Sequence, residues 1–108
     1  MVAGPYTTGA RTEEEREENL LRLNRAAFEV FRKGHVPIVA VNMALPLARA
    51  AGDQAGPVLM PVALALAARC DAVLRIEGTS VGADEEVEYI QSRGGKVFLS
   101  LDDVPDDN

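Results

Sequence analysis

The chain has 108 residues, enough for one hydrophobic core, because two would leave each half near the size that needs disulfides or metals to fold. Apolar residues make up 47% and charged residues 26%, which rules out a disordered or collagen-like chain; with three Phe, two Tyr and no Trp, the core falls to Ala, Val and Leu. A net charge of -6 and an isoelectric point near 4.7 argue against a nucleic-acid backbone as the main partner, since phosphate binding needs a basic surface.

In chain order, residues 1–3 are a short apolar start, the expected first strand. They run into the turn-rich loop Gly4-Pro5-Tyr6-Thr7-Thr8-Gly9. Thr12 and Glu15 have capping-box spacing, five glutamates crowd the segment 13–18, and Arg32 and Lys33 precede Gly34. Together they predict a helix over 13–33 with its dipole complemented at both ends. Leu20, Leu23, Ala27 and Phe31 recur at helical spacing, and Leu21, Phe28 and Val30 widen the stripe.

The continuous apolar run 36–42 reads as a strand buried on both faces, with Pro37 at its start where no ladder donor is needed. A short helix is expected over 44–51, ended by Gly52, and another from Pro57 or Pro61 to about Arg69. The latter is apolar nearly all round, and the expectation is that a second copy covers its outer face. A second apolar strand follows over 72–76, then a polar loop 77–82 and a helix 83–93 with Ala83, Val87 and Ile90 inward. Gly94 and Gly95 stop that helix, and a last strand covers 96–101. Strands alternating with helices predict an α/β protein: a parallel three-layer sandwich of about four to five strands, with its crevice at the carboxyl ends of the strands. The domain is expected over 1–101, with 102–108 an acidic, solvated tail carrying Asp102, Asp103, Asp106 and Asp107.

The single cysteine, Cys70, cannot form an internal disulfide, and with one histidine no Cys/His zinc site assembles; no metal and no cofactor are expected. The longest uncharged stretch, 54–68, is too short for a bilayer and holds two prolines, and no basic segment followed by an apolar one opens the chain. A cytoplasmic protein without a membrane partner is expected.

The topology sorts the polar residues. Gly4 to Thr8, Asn42, the segment 77–86 and the segment 100–103 follow strands, at the expected ligand edge, whereas His35, Asp71 and Lys96 precede strands at the opposite edge. The loop 78–83, with Thr79, Ser80 and Gly82, offers hydroxyls and backbone donors to an anion; Ser80 or Thr79 as a plain N-cap explains the pattern equally well. Asp84, Glu85 and Glu86 open the following helix, where acids stabilise the dipole with no further role. The alternative is that Glu86 faces the crevice as a carboxylate nucleophile while Glu85 and Glu88 face water.

In order along the chain stand Ala3-Gly4-Pro5-Tyr6-Thr7, Asn19 fifteen residues before Gly34-His35, Asp71-Ala72-Val73-Leu74, and Ser80-Val81-Gly82-Ala83-Asp84-Glu85-Glu86. This set resembles the nucleoside 2-deoxyribosyltransferase-like superfamily, in its small bacterial branch, over nearly the whole chain. The resemblance implies a Rossmann- or flavodoxin-like fold, homodimers or homotetramers with sites between subunits, and cleavage of the N-glycosidic bond of a nucleoside or nucleoside 5′-monophosphate, by hydrolysis or base transfer. It makes Glu86, which closes the Ser-x-Gly-x-x-x-Glu motif, the nucleophile. It also places Ser80, Gly82 and the Gly4-Pro5-Tyr6 loop around the sugar or its phosphate, with Tyr6 against the base. One departure stands out: the family's Asp two helical turns before the strand falls on Ala63, and 54–70 contains no Asp or Glu. Asp102, Asp103 or a neighbouring chain would have to replace it. A binding module that holds the same ligand without turnover is the alternative.

Overall fold

The crowded glutamates and the basic end do organise one long helix. In the computed structural model of the chain, which describes residues 1–52 and 58–107, α1 spans Glu13–Arg32. The Thr12 hydroxyl accepts from Glu15 N at 3.1 Å, and the Glu15 carboxylate accepts from Thr12 N at 3.3 Å and from Arg11 N. Two donors that the first turn would leave unpaired are thereby satisfied. Leu23, Ala27 and Val30 are the buried stripe of α1.

Beneath it lies a parallel sheet of three short strands, β1 (Val2–Ala3), β2 (Ala72–Arg75) and β3 (Lys96–Phe98), in the order β1-β2-β3. Val2 stands opposite Leu74, and Leu74 opposite Phe98. Successive side chains leave a strand on opposite faces, so the core divides in two. Val2 and Leu74 join Leu23, Ala27, Val30, Val39 and Val104 on the α1 side. Met1, Ala3 and Val73 join Ala63, Ala67, Ala83 and Ile90 on the other side, beneath α3 (Leu59–Ala67) and α4 (Val81–Ser92). Alanines on both helices let them approach the sheet closely. No described helix is long and apolar enough to cross a membrane.

The expected sandwich built on four to five strands does not form; the sheet has three strands and helix dominates. The lost strand is 36–42. Its first residues run extended beside β1, and Val2 N donates to Ile38 O at 2.7 Å, but Pro37 has no donor to continue a ladder. The chain then turns into α2 (Ala40–Ala51). The run 36–42 is itself rich in Val and Ile, but its last three residues enter a segment whose Ala, Met and Leu favour a helix, and periodicity over so short an apolar run cannot separate helix from strand. The early start of α2 places Pro46 inside the helix, where it withdraws the donor that would bond Asn42 O. The last strand is likewise shorter than expected, ending at Phe98 before a 3₁₀ turn over Leu101–Asp103.

The possible helix start at Pro57 lies outside the described residues. Pro61 sits in the first turn of α3, where a missing N–H costs no helical bond. Within the chain α3 packs against α2 and α4; Ala63 and Ala67 are buried, Pro61 and Ala65 are exposed, and its other apolar side chains are partly buried. Nor is 102–107 a free tail: Val104 is buried among the α1-side residues, Lys33 Nζ donates to Val104 O at 2.9 Å, and Asp107 N donates to Lys33 O at 2.6 Å. His35 Nε2 lies 2.6 Å from Pro105 O. The aspartate side chains 102, 103, 106 and 107 remain exposed.

Candidate functional site

At the carboxyl edge of the sheet, two loops pack face to face. Gly4, directly after β1, is wedged so tightly that an added Cβ would lie 2.8 Å from Leu23 Cδ2 and 2.9 Å from Ile76 Cβ. Gly78, in the loop after β2, holds φ +120° and its Cβ would lie 2.7 Å from Pro5 Cγ. Only glycine combines that backbone with that approach. The Gly4-Pro5 and 76–80 loops therefore form one packed edge, as the sequence motifs require if they share a ligand.

Arg75, the last residue of β2, fastens this edge. Its guanidinium donates from Nε and Nη2 to Asp84 Oδ1 at 3.2 and 3.0 Å, from Nη2 to Gly78 O at 2.9 Å, and from Nη1 to Ile76 O. The Arg75 side chain is only 13% exposed, while that of Asp84 is 71% exposed. One cation thus ties the strand end, the loop and the first turn of α4 together through charge-assisted bonds. Ser80 is buried and caps α4, its Oγ accepting from Ala83 N at 3.1 Å. The plain N-cap reading of Ser80 describes its geometry.

Glu86 lies in the second turn of α4, not the first as its place in the acidic run suggests. It shares a helix face with Ala83 and Ile90, which are buried, while Asp84, Glu85 and Glu88 are exposed. Burial strips water from its carboxyl and pushes its pKa up from 4.5 to about 7; the charges of the Met1 ammonium and of Arg75 work in the opposite direction. One turn earlier, Gly82 faces Met60 of α3, with an added Cβ 3.2 Å from Met60 Cε. At neutral pH the Glu86 carboxyl is therefore divided between acid and carboxylate, a state suited to proton exchange or to attack by a poorly solvated anion.

The expected site residues separate into those gathered at this edge and those that are not. Gly4, Pro5, Ser80 and Gly82 belong to the packed loops and the start of α4, and Glu86 follows on the same helix. Tyr6 is in the same loop, but its side chain is turned into the protein at 9% exposure; its backbone O accepts from Asn19 Nδ2 at 2.9 Å. This anchors the loop to α1 and leaves little of the ring for a base. Asn42 is not at a strand end. It lies in α2 and exchanges side-chain bonds with Asn24 of α1, at 2.6 and 3.3 Å. Asp102 and Asp103 stand in the 3₁₀ turn whose neighbours Leu101 and Val104 pack on the α1 side, whereas α4 covers the other face.

Ala63, where that acid is expected, is 3% exposed in the core beside Ala83. Among the described residues no three His, Cys, Asp or Glu side chains cluster closely enough to hold a metal ion. The residue the sequence reading missed is Arg75, passed over as part of an apolar strand. A lone cation ending such a strand at the ligand edge, with an acid nine residues on, is the signal that identifies it. No protein-family model, curated protein or solved structure matches the chain.

Proposed function

We propose that the chain is a nucleoside 2-deoxyribosyltransferase-like protein that cleaves or transfers the N-glycosidic bond of a nucleoside or nucleoside 5′-monophosphate, with Glu86 as nucleophile. The observation that carries this reading is the desolvated Glu86 carboxyl with its pKa near 7, on the helix that opens at the packed glycine loops. Ionised Glu86 attacks the anomeric carbon, and the bond to the base breaks with its electron pair leaving on the base, which takes a proton from solvent. Water or a second base then attacks the same carbon and returns the carboxylate. Arg75 favours the ionised form of Glu86, and Gly4, Pro5, Ser80 and Gly82 frame the sugar. The proposed setting is a homodimer or homotetramer in the cytoplasm, where Cys70 stays a free thiol.

Ala63 favours a second reading, a module that binds the same nucleotide without turnover. Loss of a general acid costs roughly 10² to 10⁴ in rate. Incubation with a panel of nucleosides and 5′-monophosphates, for the native chain and Glu86→Gln, separates the two. Base release that vanishes in Glu86→Gln supports the enzyme. Ligand-induced thermal stabilisation without release supports the module. Neither effect across the panel removes both readings.

A further inference from the structure

Two positions on α4 decide what surrounds the Glu86 carboxyl. Gly82 and Glu86 are four residues apart, so they stand one above the other on the same helix face. A long helical side chain leans back toward the amino terminus and covers the turn before its own Cα. The Glu86 side chain therefore runs back over Gly82, where no Cβ blocks it; Ala83, its other neighbour in that turn, ends at a single methyl. The side chain facing this spot from α3 is Met60, whose Cε lies only 3.2 Å from where a Gly82 Cβ would be.

The surrounding elements leave Met60 as the cover. α3 carries no charged residue, and the half-buried Met60 packs against the core that holds Ala63, Ala83 and Ile90. From the sheet, Glu86 feels the Met1 ammonium, which donates to Ala72 O at 2.9 Å, and Arg75, which is held by Asp84 and Gly78 O. β3 offers only the exposed Lys96 at the opposite edge, and on α4 itself Asp84, Glu85 and Glu88 are exposed. Methionine suits a cover that has to move, because its unbranched thioether changes shape at little cost. We infer that Met60 is a positioning residue for Glu86: its methyl lies against the carboxyl above Gly82, holds water off it, and swings aside to admit the sugar. This rests on the reading of Glu86 as nucleophile and adds to it the group that keeps the nucleophile poorly solvated until substrate arrives.

The test is NMR of the full chain with methionine isotope-labelled at the methyl carbon, the Met60 signal being assigned by its loss in Met60→Leu. In the native chain that methyl is expected to follow the ionisation of Glu86, with a midpoint near 7, and in Glu86→Gln to lose the response. Met60→Ala opens the spot to water and should lower the Glu86 midpoint by at least about one unit, while Met60→Leu keeps it near the native value. With the panel of nucleosides and 5′-monophosphates as substrates, Met60→Ala should lower KM and kcat together, because entry is freed and the anion is hydrated; a packing defect alone would lower kcat without lowering KM. A Met60 methyl that ignores pH, or whose response survives Glu86→Gln, would overturn the inference. So would an unchanged Glu86 midpoint, or an unchanged KM, in a Met60→Ala chain that circular dichroism shows to be folded. Absence of base release from every chain, with methyl and carboxyl still coupled, would remove the functional reading and leave Met60 as the cover of Glu86.

Discussion

If the Glu86 carboxyl is held in a poorly hydrated place, the fold is under strain whenever that group is ionised, and Glu86→Gln should relieve it. The native pKa of about 7 lies above the ordinary 4.5, so the folded chain holds a proton that the unfolded chain has released. Stability from this group is complete below about pH 4.5 and is lost as pH rises through about 7. The interval of 2.5 units between those two values corresponds to at most about 3.4 kcal/mol at 1.36 kcal/mol per unit. Glu86 is only half-buried, and solvent screening brings this to about 2 kcal/mol. Urea unfolding of the native chain and of Glu86→Gln should therefore give similar midpoints near pH 4. At about pH 8 the variant should be the more stable, by roughly 1 to 2 M urea for a domain of this size. The dependence must come from the native chain, with the difference opening between those pH values. Equal midpoints at all pH values, or a variant less stable at about pH 8, would refute the reasoning.

Two further outcomes follow from the packed edge. Arg75→Ala removes the cation that Asp84, Gly78 O and Ile76 O share; urea unfolding should show a loss of about 1 to 3 kcal/mol, and the titration of Glu86 should move further upward because a nearby positive charge is gone. Gly78→Ala forces a Cβ to 2.7 Å from Pro5 Cγ at φ +120° and should cost at least about 1 to 3 kcal/mol, whereas Gly9→Ala, with nothing within 4 Å at φ +79°, should cost only about 1 kcal/mol from its backbone; thermal unfolding compares them, and equal losses would contradict the loop packing.

The parts of this fold that were legible from sequence are those dictated by local chemistry. Thr12, Glu15 and the polarity of 13–33 specify α1 within a residue of its observed end, because capping and dipole effects act over one turn. Val73 and Leu74 mark β2 for the same reason that they fill the core, since both faces of that strand are buried. The run 36–42 misleads because a buried strand and a buried helix share one hydrophobic pattern, and tertiary packing of Ala40 and Ala44 decided between them. The same error carried Asn42 to a strand end and away from its real partner, Asn24. At the site, the motif spacing singled out Glu86, but not what surrounds it: desolvation depends on the whole packed environment of α4, which no local pattern encodes. Arg75 was hidden by the opposite effect, a charge inside an apolar stretch whose partners, Gly78 O and Asp84, come close only once the loop is folded.

The most direct measurement is a carboxyl carbon NMR titration of Glu86, assigned by its loss in Glu86→Gln and repeated with a nucleoside 5′-monophosphate present. The account requires a midpoint near 7 that shifts when the nucleotide is added. A midpoint at the ordinary carboxylate value, unmoved by the nucleotide, would contradict it.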